Sequence, residues 1–198
     1  MTNKIEFFFD FGSGPSYLAH TQLPLIEQRT GAEIVYRPVL LGGIFKLTGN
    51  TPPGAVEAKM KWFKGDLELF ASKYGVTYAF PKILITNTMP LMRAAYVARE
   101  QNCGERYYNM VFDAIWVEGL NMQDLTVFER KLDETGFDSK LFLEGIKRKE
   151  IKDQLISATQ EAVERGAFGT PTFFTGSRMF FGQDRLEFLE QAAAGILP

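Results

Sequence analysis

Residues 4–18 read KIEFFFDFGSGPSYL, and the change of character halfway along this stretch decides the fold. Lys4 to Phe9 is a short apolar and aromatic run ending at Asp10, the pattern of a buried strand. Gly12-Ser13-Gly14-Pro15 is dense in turn and helix-start residues. Ser16 to Arg29 then carries Leu18, Leu23, Leu25 and Ile26 and stops at Gly31, which predicts a helix with Pro24 as its bend point. Glu33 to Val39, with Ile34, Val35 and Tyr36, predicts a second strand. Strand, helix and strand in that order open an α/β domain.

Outward from this unit the chain turns helical, from Leu40 to about Arg165. Ala55 to Tyr74 places Met60, Phe63, Leu67 and Phe70 on one helix face. Thr88–Gln101, Glu105–Trp116, Asp124–Glu134 and Ile151–Glu164 continue the pattern, with Gly75, Gly104, Gly119 and Gly136 as stops. Strand character returns at Thr172–Thr175, turns at Gly176-Ser177 and runs on through Met179-Phe180-Phe181, a hairpin. Gly182 closes it, and Asp184 to Ala194 predicts the last helix.

Bulk composition narrows the class of protein. Of 198 residues 45% are hydrophobic, with 18 Phe, 7 Tyr and 2 Trp, enough for a sizeable core. Charges nearly balance, at 22 basic and 24 acidic residues, so nothing in the charge pattern points to nucleic acid or an anionic membrane. Glu6 and Asp10 interrupt any leader-like apolar stretch, and no run reaches the roughly 20 residues of a membrane span. The expectation is a soluble, cytoplasmic protein. The single cysteine, Cys103, excludes an intramolecular disulfide and a paired-cysteine metal site. The single histidine, His20, lies past the helix start and reads as a surface or packing residue.

Three places carry chemistry. At Asp10–Leu18 a strand ends and a helix begins, so free main-chain N–H groups converge and stabilise an anion. Locally, Ser13 or Ser16 as a plain helix cap explains the same residues. At Gly169-Thr170-Pro171-Thr172 a proline precedes a strand. A cis bond there turns the Thr170 main chain outward for strand-like pairing, and an ordinary trans proline is the simpler reading. At Gly182-Gln183-Asp184-Arg185, Asp184 suits a helix cap, and the pair also suits an ammonium and a carboxylate.

The order βαβ, helical block, ββα, with a helix-start site after strand one and Thr-Pro before strand three, describes a thioredoxin fold. The chain resembles the 2-hydroxychromene-2-carboxylate isomerases and the related kappa-class glutathione transferases over essentially its whole length. The segments that carry the resemblance are Phe9–Ser13 with Ser16–Ala19, Leu41–Lys46, Gly49–Gly54, Lys59, Asn87-Thr88, Phe168–Thr172 and Phe181–Arg185. The resemblance implies an α/β, DsbA-like architecture: a thioredoxin-like domain from residues 1–40 and 166–198, with an all-helical domain, 41–165, inserted.

The resemblance also implies glutathione as cofactor. Ser13 matches the serine that contacts the glutathione sulfur. Thr170, before Pro171, matches the residue whose main chain pairs with the cysteinyl unit. Asp184 and Arg185, with Gly182 and Gln183, match the γ-glutamyl site, and Asn50 and Lys59 match contacts from the insertion. Lys46, Asn87 and Arg93 are candidates for the substrate. One departure stands out: relatives usually read Ser-Pro where this chain has Ser13-Gly14-Pro15.

The implied reaction interconverts 2-hydroxychromene-2-carboxylate and trans-o-hydroxybenzylidenepyruvate, a step of aromatic catabolism such as naphthalene degradation. A kappa-type transferase that releases a glutathione conjugate is the alternative, and a glutathione-binding module without turnover is a third. A disulfide oxidoreductase needs a Cys-x-x-Cys pair at the helix start, and this chain has none. No metal is implied, and a homodimer is expected from the resemblance.

Overall fold

The computed structural model describes residues 4–197. Strands β1 (Lys4–Phe9), β2 (Glu33–Pro38), β3 (Thr172–Thr175) and β4 (Arg178–Phe181) form one sheet in the order β2-β1-β3-β4. β1 and β2 run parallel, Lys4 opposite Glu33 through Phe9 opposite Pro38. β3 runs antiparallel to β1, Phe7 opposite Phe173, and β4 antiparallel to β3.

β1 is central and covered on both faces over Phe7–Phe9, which is why these three positions are apolar in succession. Phe7 and Phe9 stack with each other and meet Phe173, Tyr36, Tyr108 and Phe112. Phe8, directed to the other face, lies under the Arg37 and Arg165 guanidinium groups at 5.2 and 5.3 Å. Those two arginines are held by Glu6 and Glu161, so the charges over the ring are neutralised in place.

Helix α1 (Gly14–Thr30) starts at the Ser13 cap, runs through Pro24 and closes at Gly31, whose left-handed φ of 67° lets its N–H reach Glu27 O. His20 sits inside it, buried, and is a packing residue and not a surface one. Its Nε2–H donates to Asn109 Oδ1 at 2.7 Å, and Nδ1 lies 2.9 Å from the Tyr36 hydroxyl. Burial pushes the imidazole down to about 4.

Next come α2 (Leu41–Thr48), α3 (Glu57–Tyr74), α4 (Met89–Glu100), α5 (Gly104–Trp116), α6 (Leu125–Glu134), α7 (Ser139–Gly145) and α8 (Lys149–Glu164). Two of these have no clear sequence signal. α2 contains Gly42-Gly43, a poor helix-forming pair. Its start is supplied from elsewhere, because Leu40 N donates to Thr159 Oγ1 and Leu41 N to Asp10 Oδ2. α7 is seven residues long, too short for periodicity, and is capped by Asp138 on Leu141 N.

Gly104 is not a stop, contrary to the sequence expectation: it opens α5, and Asn102 at φ 53° makes the turn before it. The final helix is also shorter than expected. A 3-10 turn, Gln183–Arg185, precedes α9 (Leu186–Ala193), and Asp184 makes no cap hydrogen bond.

α8 returns the chain to the sheet, where Glu161 meets Arg37. Buried residues of the sheet, of α1 and α9 and of residues 41–165 form one continuous core. The division into residues 1–40 with 166–198 and an inserted 41–165 is proposed on the order of elements along the chain. Among the described residues no helix is long and apolar enough to cross a membrane.

Candidate active site

The end of β1, the start of α1 and the loop before β3 meet at Ser13. Ser13 adopts extended φ and ψ of −100° and 109°, and its Oγ accepts the Ser16 N–H at 3.2 Å, so it is the helix cap. The same Oγ donates to Thr170 O at 3.0 Å, across 157 residues of sequence. Ser13 and Thr170 are both buried. The Thr170–Pro171 bond is cis, and Pro171 O accepts from Gly182 N at 2.9 Å.

Beneath the cap lies Asp10, 1% exposed. Its Oδ1 accepts from Gly12 N, and its Oδ2 from Leu41 N and Thr88 Oγ1, at 2.8, 2.8 and 2.9 Å. One carboxylate thereby ties the β1–α1 turn to the starts of α2 and α4. Burial pushes this carboxyl above its ordinary value, and the three donors pull it partly back.

Gly14, where the chain departs from Ser-Pro, is closely packed. A Cβ at this position would lie 2.9 Å from Leu67 Cδ1 and 3.1 Å from the Trp116 ring. Trp116 is fixed there by its Nε1–H, which donates to Phe11 O at 2.8 Å. The helical segment therefore packs closely on the first turn of α1, and a side chain at position 14 would have to displace the Leu67 methyl or the Trp116 ring. Pro15 follows inside the helix, and Ser13 keeps the cap.

Beyond β4, Gln183 is buried, and the Tyr74 hydroxyl sits 2.8 Å from its Oε1 and 3.0 Å from its main-chain oxygen. Asp184 and Arg185 are exposed and paired with each other at 2.8 Å. Burial, then the charge of Asp184, raise both the Asp66 carboxyl and the Tyr74 hydroxyl, the latter to about 12. Asp66 on α3 therefore shares the field of Asp184.

Of the residues named from sequence, hydrogen bonds join Ser13 to Thr170, Pro171 to Gly182, and Asn50 to Phe168, whose carbonyl accepts from Asn50 Nδ2 at 2.8 Å. No hydrogen bond or ion pair ties Lys46, Lys59 or Arg93 to that group among the described residues. Lys46 and Lys59 are exposed on α2 and α3, and Asn87 accepts from Met89 N at the start of α4. Arg93 is half-buried on α4, and its Nε is buried with no hydrogen-bond partner. Sequence reading gave no role to Asp10, Thr88, Asp66, Tyr74 or Trp116. Asp10 alone had a local signal, a carboxylate closing an apolar strand two residues before a glycine.

The architecture and the site together define a thioredoxin-fold protein whose helix-start position holds a serine and no cysteine. The model of the DSBA-like thioredoxin domain matches residues 4–194. The chain is 34% identical over 192 residues to the 2-hydroxychromene-2-carboxylate isomerase of Sphingobium xenophagum, covering 96% of this chain and 97% of that protein. It is 27% identical to human glutathione S-transferase kappa 1, covering 96% of this chain and 90% of that one. A solved structure of 2-hydroxychromene-2-carboxylate isomerase superposes with a TM-score of 0.87 at 29% identity, over 98% of this chain and 95% of that chain. The chain belongs to the DSBA-like thioredoxin family and, within it, to the 2-hydroxychromene-2-carboxylate isomerase family. It is an enzyme of the isomerase or glutathione transferase type.

Proposed function

We infer that this enzyme interconverts 2-hydroxychromene-2-carboxylate and trans-o-hydroxybenzylidenepyruvate, or acts on a related aromatic substrate, with glutathione as a cofactor returned unchanged. The observation that carries the reading is Ser13 Oγ at the cap of α1, against Thr170 O, where disulfide exchange would need a cysteine. The donor set fits a zwitterionic thiol peptide. A hydroxyl, a carbonyl, a half-exposed carboxylate–guanidinium pair and a side-chain amide supply hydrogen bonds and both signs of charge.

In this reading Ser13 faces the sulfur, and the Thr170 main chain, set by the cis bond to Pro171, pairs with the cysteinyl unit. Gly182, Gln183, Asp184 and Arg185 hold the γ-glutamyl end, and Asn50 and Lys59 hold the peptide from the α2–α3 side. Arg93, with its unpartnered Nε, is the first candidate for the substrate carboxylate, beside Lys46 and Asn87. When bound, glutathione would supply the sulfur nucleophile that isomerisation of the substrate double bond requires.

The magnitudes suffice without a histidine. A thiol of pKa about 8.5 needs roughly 2.7 kcal/mol of preferential thiolate stabilisation to fall by about two units. A hydrogen bond to a charged group contributes about 1.5–3 kcal/mol and a helix N-terminus about 0.3–1 kcal/mol. His20, buried and bonded to Tyr36 and Asn109, takes no part. A cytoplasmic homodimer belongs to the same proposal and is checked by sedimentation.

The test measures chromene isomerisation with and without glutathione, beside conjugation of an aryl halide. Glutathione-dependent isomerisation without net loss of thiol is expected. The human kappa relative favours conjugation as the second reading. Binding with neither activity defeats both. Ser13→Ala is expected to lower the isomerisation rate far more than glutathione affinity.

A further inference from the structure

Ser13 has one hydroxyl proton, and in this structure it is already committed. The Oγ–H points at Thr170 O at 3.0 Å, and an Oγ lone pair takes the Ser16 N–H at 3.2 Å. Ser13 is 5% and Thr170 7% exposed, so water has little access to either. A thiolate arriving at this Oγ meets lone pairs and no proton. If the proton turns to the sulfur, the Thr170 carbonyl is left buried and unpaired, which opposes the turn.

Resting on the glutathione reading above, we propose that the ligand's own amide releases the serine: an N–H of the bound peptide takes over Thr170 O, and the Ser13 hydroxyl then rotates to the sulfur. β3 is paired on both sides from Thr172 onward and Pro171 O is taken by Gly182 N, so Thr170 is where a peptide's main chain can pair and bring an N–H to this carbonyl. The Ser16 N–H holds Oγ throughout, so only the hydroxyl hydrogen moves, about the Cβ–Oγ bond. The proton stays on Oγ and no covalent bond changes. One hydrogen bond to Thr170 O is replaced by another, and the serine gains a charge-assisted bond to sulfur, the stronger of its two choices. The site therefore selects thiols carried on an amide N–H, cysteinyl peptides, and leaves a simple alkyl thiol of similar reach unactivated.

The experiment compares glutathione with its depsipeptide analogue, in which an ester oxygen replaces the cysteinyl N–H. Calorimetry first establishes saturation by glutathione. Thiolate ultraviolet absorbance then gives the thiol pKa of each bound ligand, in the unaltered enzyme and in Ser13→Ala. Bound glutathione should titrate about one unit below the bound depsipeptide, a tenfold difference in the ionisation constant. In Ser13→Ala the two ligands should titrate together. Equal lowering in the unaltered enzyme, or a difference that persists in Ser13→Ala, overturns the proposal while the glutathione reading stands. No glutathione binding at all brings down that reading and this proposal with it. Neutron diffraction from the glutathione complex gives a second measure: the Ser13 deuteron is expected toward sulfur, and a deuteron still on Thr170 O refutes the exchange.

Discussion

Replacing Asp10 by alanine should loosen the junction that holds the site, and its cost follows from three bonds. The carboxylate accepts from Gly12 N, Leu41 N and Thr88 Oγ1, all within 2.9 Å. Thr88 can turn its hydroxyl, but the two main-chain N–H groups cannot move without unwinding the β1–α1 turn or the start of α2. A buried donor left unpaired costs about 1–3 kcal/mol, so two cost about 2–6 kcal/mol. Native domains are stable by about 5–15 kcal/mol, so the variant should stand near the edge of folding. Asp10→Asn keeps the shape and one acceptor oxygen but turns an NH2 toward one of those donors, and should lose about 1–3 kcal/mol. Urea denaturation of the three proteins gives the numbers directly. Alanine and asparagine variants each losing less than about 0.5 kcal/mol, the ordinary range of surface changes, would refute the idea that this carboxylate anchors α2 and α4.

Three further outcomes follow from other parts of the molecule. His20 is held down to about 4 by burial, below the ordinary 6.5. The folded state therefore disfavours the imidazolium: stability is full above pH 6.5 and falls by up to about 3 kcal/mol as pH drops toward 4. The one histidine resonance in NMR should titrate near 4, and His20→Gln should remove that slope; a midpoint near 6.5 contradicts the burial argument. Gly14→Ala forces a methyl against Leu67 and Trp116 and should cost about 1–3 kcal/mol in thermal or urea unfolding, with an unchanged midpoint showing that Trp116 can yield. Asp184→Ala should weaken glutathione binding about tenfold by calorimetry, a loss of about 1.4 kcal/mol, and an unaltered affinity removes Asp184 from the γ-glutamyl site.

Local patterning was a good guide wherever one element's chemistry is complete in itself. The run from Lys4 to Phe9 is apolar at every buried position because the strand is covered on both faces, and its observed bounds equal those read from sequence. α6 begins after Asp124, which caps it, and ends at Glu134 as the pattern said. The same rules missed α2, because its first-turn N–H groups are satisfied by Asp10 and Thr159, far away along the chain. They misplaced the turn before α5, because Asn102 adopts the left-handed conformation that the pattern had assigned to Gly104.

The site divides along the same line. By itself the sequence determined that a serine caps the first helix, that no cysteine stands beside it, and that a proline precedes the third strand. These are properties of neighbouring residues, and they exclude disulfide exchange at the helix start. Only the tertiary structure decided where Ser13 sends its proton, because Thr170 is 157 residues away and reaches it through the pairing of β1 with β3. It also decided what surrounds position 14, since Leu67 and Trp116 arrive there from two other helices. Hydrogen bonds and close packing depend on distances in space, and a linear order of residues carries those distances only across a turn or two of chain.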